Sequence, residues 1–354
     1  MHLKEIGYNQ YIEAQYNSIN CKEQKLARIS AEHKNLYKII TEDGEFLAEI
    51  AGKMYHRTNN NSHFPAVGDW VIIKEMSGTE KVLIEKLIPR KTKVSRNVAG
   101  KRTEEQIIAA NMDYIFIVNG LDNDFNLNRI ERYLTIAWDS GAKPVIILNK
   151  SDLCNNEEIK KKKTEVENNA YGVPVHVISC KNKTGIKELE KYFKQGKTTA
   201  LLGSSGVGKS SLINIFLGEE RQETNETRES DGKGRHTTTS RELIILPDGG
   251  IIIDTPGMRE IQLWGRNDGI TGVFSDIEEI AQKCKFNDCA HTHEPHCAVK
   301  RAVEEGKLAK KRLENYHKMK RELLYLKRKE MMSADKIEYN KWYEITKKSR
   351  KTRS

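Results

Sequence analysis

The sequence predicts three structural units in succession: a small N-terminal β-barrel, a central α/β domain with a mostly parallel sheet, and a mainly helical C-terminal unit built around a metal. Three observations carry this. Five short β-like runs separated by turn residues fill the stretch from about Gln24 to Arg96. Apolar strands then alternate with helical segments from Tyr114 to Ile253. Finally, three cysteines and a histidine crowd into residues 284–297 of an otherwise helical region. At 354 residues the chain has room for two or three domains. The bounds expected are 1–20 for an N-terminal extension, 21–98 for the barrel, 99–265 for the α/β domain, and 266–354 for the metal-binding unit with its tail.

Within the extension, Leu3, Ile6, Tyr8, Tyr11 and Ile12 fall at rough helical spacing, which fits a short docking helix. The runs KLARIS, LYKII, EFLAEI, DWVIIKE and KVLIEKLI follow, punctuated by Asp43-Gly44, Gly52, Pro65 with Gly68-Asp69, and Ser77-Gly78. Five strands in about 75 residues match a barrel of the oligonucleotide/oligosaccharide-binding (OB) type, with an SH3-like barrel as the competitor. Strands are then expected at Tyr114–Val118, Pro144–Leu148, Val173–Ile178 and Thr198–Leu202. Helices are expected at Asn126–Trp138, Glu157–Asn169, Ile186–Phe193 and Ser210–Leu217. Two more strands, Arg241–Leu246 and Gly250–Ile253, flank a Pro-Asp-Gly-Gly turn. Such alternation indicates a parallel sheet covered on both faces.

Composition narrows the function. Hydrophobic residues make up 37% and charged residues 31%, so a core is possible under a heavily charged surface. Residues 298–354 carry 19 Lys+Arg against 8 Asp+Glu, which leaves the first 297 residues nearly neutral. A basic tail on a neutral body suggests a polyanion partner, nucleic acid before membrane. Lys310-Lys311-Arg312 and Lys327-Arg328-Lys329, with Tyr316, Tyr325 and Trp342 among and beyond them, read as RNA contacts. No run of about 18 apolar residues exists, so no membrane span is expected. The start, MHLKEIGYNQYIE, lacks a signal-peptide core. Six cysteines are too few for a disulfide framework; Cys21 and Cys154 read as ordinary thiols of a reducing cytoplasm.

Gly203-Ser204-Ser205-Gly206-Val207-Gly208-Lys209-Ser210 matches G-x-x-x-x-G-K-[ST], between an apolar strand and a helix that continues through Ser211. Its glycines let backbone N–H groups converge on a phosphate, and the helix N-terminus adds positive potential. Lys209 reaches the outer phosphates and the Ser210 hydroxyl is a Mg²⁺ ligand. Asn149-Lys150-Ser151-Asp152 follows the strand PVIIL and chooses the base. The Asp152 carboxylate accepts two hydrogen bonds from guanine, a pair adenine does not offer. Asn149 supports the loop and the Lys150 stem lies on the ring face. Ser179-Cys180-Lys181, after VPVHVI, supplies a second guanine contact through backbone N–H. Asp254-Thr255-Pro256-Gly257 fits D-x-x-G: the carboxylate holds Mg²⁺ through water and the Gly257 N–H senses the γ-phosphate. Upstream, Gly234-Arg235-His236-Thr237-Thr238-Thr239 offers a hydroxyl to Mg²⁺, Thr238 before Thr237. Residues 219–234 are polar and glycine-dotted, as expected of a switch that orders with triphosphate bound.

An ordinary small GTPase runs phosphate loop, switch threonine, D-x-x-G, N-K-x-D, then the serine-containing guanine loop. Here the last two come first, so the α/β P-loop GTPase domain is circularly permuted, a rearrangement folds tolerate at surface connections. The permutation places D-x-x-G directly ahead of the Cys/His segment. Many GTPases place a glutamine just after the D-x-x-G glycine to orient water. Met258 stands there instead. His236 is the nearest group able to orient water or act as a base near neutral pH, which makes it, with Lys209, the catalytic candidate. Cys284-x4-Cys289-x-His291-x5-Cys297 suits a closed, tetrahedral, structural zinc site, with His293 and His296 as competing ligands.

With its permuted motif order, its G-R-H-T-T-T, its D-T-P-G-M-R-E and its C-x4-C-x-H-x5-C cluster, the chain from about Gln24 onward resembles the ribosome small-subunit-dependent GTPase A family (the RsgA or YjeQ type). The resemblance implies an OB-type barrel, a permuted GTPase domain and a C-terminal zinc-binding domain. It further implies late maturation of the small (30S) ribosomal subunit, contact with its 16S rRNA, and GTP hydrolysis to GDP and phosphate stimulated by that subunit. The N-terminal extension and the long basic tail depart from the family pattern. A monomer free of membranes is expected. Two rivals exist: an RNA-binding zinc protein with a vestigial nucleotide site, and a metallochaperone GTPase. Intact Lys209, Ser210, Asp152 and Asp254 oppose the first, and four protein ligands around the metal oppose the second.

Overall fold

The computed structural model describes residues 2–19, 24–33, 36–57, 61–75, 82–97, 105–218, 241–255 and 268–328. The five β-like runs become β1 (Lys25–His33), β2 (Leu36–Thr41), β3 (Gly44–Ile50), β4 (Trp70–Glu75) and β5 (Val82–Leu87), with a short helix α2 (Gly52–Arg57) after β3. β1 pairs antiparallel with both β2 and β4, β2 with β3, and β4 with β5, while β3 and β5 run parallel. The ring therefore closes in the order 1-2-3-5-4-1. This is the OB arrangement, and the SH3-like alternative falls away. Ala27, Ile29, Ile39, Val71 and Ile84 fill the interior and are fully buried. The turn before β4 is fixed by buried Asp69, which accepts from the Ala66 N–H (2.7 Å) and from Arg90 Nε (2.8 Å). Gly68, at φ +89°, has no substitute there, because a Cβ would sit 2.2 Å from the Ala110 carbonyl oxygen.

The N-terminal segment docks, but residues 3–7 form turns and the helix begins only at Gln10, later than the spacing of Leu3 to Ile12 predicts. Helix α1 (Gln10–Ser18) is capped by the Asn9 side chain, which accepts from the Tyr11 and Ile12 N–H groups. Ile6 and Ile12 are buried, and Tyr8 packs edge-on against Trp70 at 5.9 Å. Buried Arg28 donates to the carbonyls of Ile6 and Gly68 and to Thr198 Oγ1. One guanidinium thus ties extension, barrel and α/β domain together, and burial lowers its pKa to about 10.

A hairpin that the sequence reading lacks, β6 (Lys93–Asn97) and β7 (Glu105–Ala110), leads into the α/β domain. There follow β8 (Tyr114–Gly120), α3 (Leu127–Ser140), β9 (Lys143–Asn149), α4 (Asn156–Asn169), β10 (Val175–Val177), β11 (Thr198–Leu202), α5 (Lys209–Leu217), β12 (Glu242–Ile245) and β13 (Ile251–Asp254). The helix expected at 186–193 is a 3-10 helix, Ile186–Tyr192, burying Ile186, Leu189 and Tyr192 at the three-residue spacing that geometry requires. Strand order is β10-β9-β8-β11-β13-β12, parallel except for β12. Alternate strand residues face opposite ways. Phe116, Val118, Val145, Ile147 and Leu201 pack on one side with α5 and the 3-10 helix. Ile115, Ile117, Ile146, Leu148 and Leu202 pack on the other with α3 and the C-terminal helices. The Ala31–Glu242 pairing of β1 with β12 joins barrel and α/β domain into one eleven-stranded sheet.

Beyond it lie α6 (Asp268–Val273), α7 (Ser275–Ala281), α8 (Ala298–Glu304) and a helix α9 described over 310–328. The tail differs from the expectation that its basic run faces RNA. Arg312 and Tyr316 are buried, not RNA-facing. Arg312 forks onto Asp276 (2.7 Å twice), reaches Glu131 of α3 at 2.6 Å and Asn169 of α4 at 3.1 Å, and lies over the Phe274 ring. Tyr316 packs edge-on against Phe274 and donates its hydroxyl to Glu278 (2.8 Å). A lysine-arginine run on a helix necessarily places one member inward when the apolar stripe passes through it; here Arg312 adjoins Leu313 and Tyr316. Lys310, Lys311 and Tyr325 remain exposed; Lys329 and Trp342 lie outside the described residues. Arg312→Ala should destabilise the chain by about 3 kcal/mol, because it leaves buried Glu131 without its cation. Equilibrium urea denaturation checks this, and an unchanged midpoint would contradict it.

Candidate active site and metal cluster

In a parallel sheet, ligand loops grow from the carboxyl ends of the strands. β9, β11 and β13 end at Asn149, Leu202 and Asp254, and each runs straight into one of the motifs. After β11, Gly203 and Ser204 are buried, Ser205 and Gly206 are exposed, and Val207 turns back into the core. Gly208 takes φ +98°, and a Cβ on it would lie 2.2 Å from Asn149 Nδ2. Only glycine lets the phosphate and base loops approach this closely. α5 begins at Lys209, with Ser210 and Ser211 in its half-buried first turn. Lys209 Nζ folds back on its own loop, donating to the carbonyls of Gly203 (2.8 Å) and Ser204 (2.7 Å).

Asn149 is the junction. Its Nδ2 donates to the Val207 carbonyl of the phosphate loop (2.8 Å), and its Oδ1 accepts from the Cys180 N–H (3.0 Å). Lys150 then adopts φ +65°, and the chain turns through Ser151 and Asp152 as a single 3-10 turn. The Ser179 hydroxyl donates to Asp152 Oδ1 and itself accepts from the Asn182 N–H (3.1 Å), so the serine orients the carboxylate. Lys181 is exposed at the tip of a turn closed by reciprocal Ser179–Thr184 backbone bonds (3.1 Å each). Burial pushes the Cys180 thiol up to about 12, so it stays protonated and its backbone is its useful part. Asp254 is buried at the end of β13, and the Thr255 hydroxyl donates to the Leu201 carbonyl, tying this loop to β11. His236, Thr237, Thr238 and Gly257 lie outside the described residues.

Asp122 and Asp124 occupy the turn after β8. Asp122 pairs with Lys150 (2.6 Å) and Asp124 accepts from Ser204 Oγ (2.8 Å). No motif contains them; their place at the carboxyl end of a central strand was the only available signal.

Cys284, Cys289, His291 and Cys297 place their ligand atoms within 4.8 Å of one another. Cys284 Sγ lies 3.8 Å from Cys297 Sγ and 3.7 Å from His291 Nδ1, and Cys297 Sγ lies 3.4 Å from that nitrogen. A tetrahedron with arms of about 2.3 Å has edges of about 3.8 Å, so these donors fit a four-coordinate ion of zinc size. Burial favours the thiol at Cys284, but the Val299 and Ala298 N–H groups at the start of α8 outweigh it and lower the pKa. Burial also lowers the His291 pKa, favouring the neutral imidazole that a metal needs. His293 and His296 are exposed and stand outside the cluster. The turn is held by Glu294, another residue the sequence reading omits. Its carboxylate accepts from the N–H groups of Ala290 (3.0 Å), Thr292 (2.8 Å) and His293 (3.0 Å).

A phosphate loop, a base loop ahead of it in the chain and a D-x-x-G strand behind it, all at one sheet edge, define a circularly permuted P-loop GTPase with an OB-type barrel and a Cys₃His cluster. The family model described as RsgA GTPase matches residues 87–264. The small ribosomal subunit biogenesis GTPase RsgA 1 of Listeria innocua is 44% identical over 357 residues, covering 99% of this chain and 97% of that one. RsgA 2 of Lactiplantibacillus plantarum is 47% identical over 302 residues, 85% and 84% of the two chains. Among solved structures, YjeQ from Thermotoga maritima matches with a TM-score of 0.62 at 30% identity, over 85% of this chain and 99% of that one. YloQ, titled a circularly permuted GTPase, shares the fold with a TM-score of 0.59 at 23% identity, over 85% and 96%. The chain belongs to the RsgA GTPase family and is a GTP hydrolase. No helix among the described residues is long and apolar enough to cross a membrane.

Proposed function

We propose that this chain is a cytoplasmic factor that binds the small (30S) ribosomal subunit and its 16S rRNA, assists a late step of subunit maturation, and hydrolyses GTP to GDP and phosphate under stimulation by the subunit. The observation that carries the nucleotide part is the Asn149 bridge, which holds the phosphate loop and both base-recognition loops in one hydrogen-bonded unit. The names of the relatives supply the ribosomal part. Asp152, oriented by Ser179, reads guanine, with the Lys150 stem on the ring and the Cys180 N–H beside it. The N–H groups of residues 203–208 and the Lys209 ammonium hold the phosphates. Ser210 and Thr238 take Mg²⁺ directly and Asp254 takes it through water, while the Gly257 N–H meets the γ-phosphate. The Cys₃His cluster takes zinc, whose part is structural.

His236 serves as the water-positioning group, because Met258 stands where many GTPases carry glutamine. His236→Ala should leave GTP affinity nearly intact and cut turnover about 10²-fold, the scale of a lost acid–base group. Equal turnover in single-turnover assays would remove His236 from that role.

Zinc removal by a chelator, or Cys289→Ser, should unfold residues 280–300 while GDP binding persists, because the nucleotide loops belong to the sheet. Metal analysis with fluorescence titration of GDP checks this. A zinc-free preparation with intact near-ultraviolet dichroism would contradict it.

The experiment for the function as a whole is GTP turnover with and without purified small subunits, at several salt concentrations. Turnover should rise with small subunits and not with large ones. Subunit affinity should fall steeply with salt, since each neutralised phosphate releases counterions. Turnover indifferent to small subunits would overturn the proposal.

A further inference from the structure

β8 stands between β9 and β11 in the sheet. The base loop leaves the end of β9 and the phosphate loop leaves the end of β11, so the turn leaving β8 runs between them. That turn places two carboxylates beside a site for a polyanion, which is costly unless each is compensated and of use. Both are compensated. Asp122 Oδ2 lies 2.6 Å from Lys150 Nζ, with each side chain about three-quarters buried. Asp124 accepts from the Ser204 hydroxyl (2.8 Å) and pairs with Arg129 (2.8 Å), which also reaches Asn119 Oδ1 (3.3 Å). The main chain follows the same plan: the Leu121 N–H donates to the Asn149 carbonyl (2.8 Å). Gly120 leaves room for the carboxylate, since a Cβ there would lie 2.5 Å from Asp122 Oδ1.

We propose that the turn after β8 is a third arm of the nucleotide site, in which Asp122 positions Lys150 against the base and Asp124 positions Ser204 within the phosphate loop. The inference rests on the reading of Asn149–Asp152 as the guanine loop. A lysine stem covers a ring face only while its ammonium is held at one end of that face, and a free lysine samples many rotamers. Asp122 supplies the fixed end, and the left-handed backbone at Lys150 aims the stem. Burial pushes the Asp122 carboxyl up, but the Lys150 ammonium more than reverses this, so the carboxylate is charged at physiological pH. At the other arm, Arg129 cancels the Asp124 charge, so Ser204 is fixed without adding net negative charge near the phosphates. Both residues are positioning residues: they order the groups that touch the ligand before it arrives.

The test is a double-mutant cycle on the full-length protein, read as affinity for a fluorescent GDP and for a non-hydrolysable GTP analogue. Asp122→Ala and Lys150→Ala should each weaken both nucleotides about tenfold and in parallel, because the base is common to them, and the double variant should be no weaker than either single one. Asp122→Glu should recover much of the loss, which a merely structural role would not predict. Should Asp122→Ala fail to fold, as judged by zinc content and thermal midpoint, Asp122→Asn keeps the shape and serves in the same cycle. Normal binding by Asp122→Ala beside weakened Lys150→Ala would overturn the arm while leaving the base loop in place. Fully additive losses would do the same. Normal binding by Lys150→Ala would overturn the base-loop reading and the arm with it. The same cycle on Asp124→Ala and Ser204→Ala tests the phosphate arm, and additivity there would remove Asp124 from it.

Discussion

Lys209→Ala should reduce GTP cleavage by about 10³-fold or more, the largest loss expected from any single side chain here. Two effects add. In the proposed site the side chain would supply the positive charge nearest the outer phosphates, where charge redistributes in phosphoryl transfer and little covalent chemistry is left for the protein to do. It also organises the loop itself: its ammonium bonds the Gly203 and Ser204 carbonyls from the first residue of α5. Alanine removes the cation and frees those carbonyls to turn inward against the phosphates. Single-turnover cleavage at saturating GTP, with GDP affinity measured in parallel, separates the chemistry from binding. Cleavage within tenfold of the unmodified protein would move the transfer site away from this loop.

Asp152→Asn should weaken GTP about 10²-fold, since two hydrogen bonds to a charged acceptor are lost at about 1.5 kcal/mol each. The same variant should gain xanthosine triphosphate, whose carbonyl accepts where guanine donates. The gain matters more than the loss, because a damaged fold loses affinity for everything. Ser179 sharpens the prediction. Its hydroxyl donates to Asp152 Oδ1, and an asparagine can still offer its oxygen there, leaving the amide N–H₂ toward the base. Competition titrations with both nucleotides read the switch directly. Preference for GTP retained at its original ratio would remove Asp152 from base recognition.

What the sequence made legible follows from which forces act locally. The barrel strands could be read because turn chemistry at Asp43-Gly44 and Gly68-Asp69 brackets them, and because β-branched residues cluster between the turns. The strands of the α/β domain could be read because burial on both faces leaves unbroken apolar runs such as YIFIV and PVIIL. The β6–β7 hairpin could not, since Lys93–Asn97 is short and polar on one face and its partner begins only at Glu105. The loop motifs stood out in the sequence because binding phosphate and guanine would each demand fixed residue types at fixed spacing. Asp122, Asp124, Glu294 and Arg312 were not, because their work depends on partners brought near by the fold. Arg312 and Glu131 are 181 positions apart in sequence. A lysine-arginine run announces charge but not which member the helix will turn inward.

The single rung between Ala31 of β1 and Glu242 of β12 has a thermodynamic consequence. β12 emerges from the 219–240 stretch that carries the G-R-H-T-T-T motif, and it pairs with β13, whose last residue is Asp254. The barrel is therefore paired with the strand that lies in sequence between the G-R-H-T-T-T and D-x-x-G motifs. Any shift of β12 that distinguishes triphosphate from diphosphate must either carry β1 with it or break the rung, and both alternatives carry a free-energy difference. By linkage, that difference runs equally in both directions: whatever the barrel grips more tightly in one nucleotide state must, when gripped, favour that nucleotide by the same factor. If β12 shifts between the two nucleotide states, a ligand of the barrel biases which nucleotide is bound without touching it, and the nucleotide biases the barrel's ligand by the same factor.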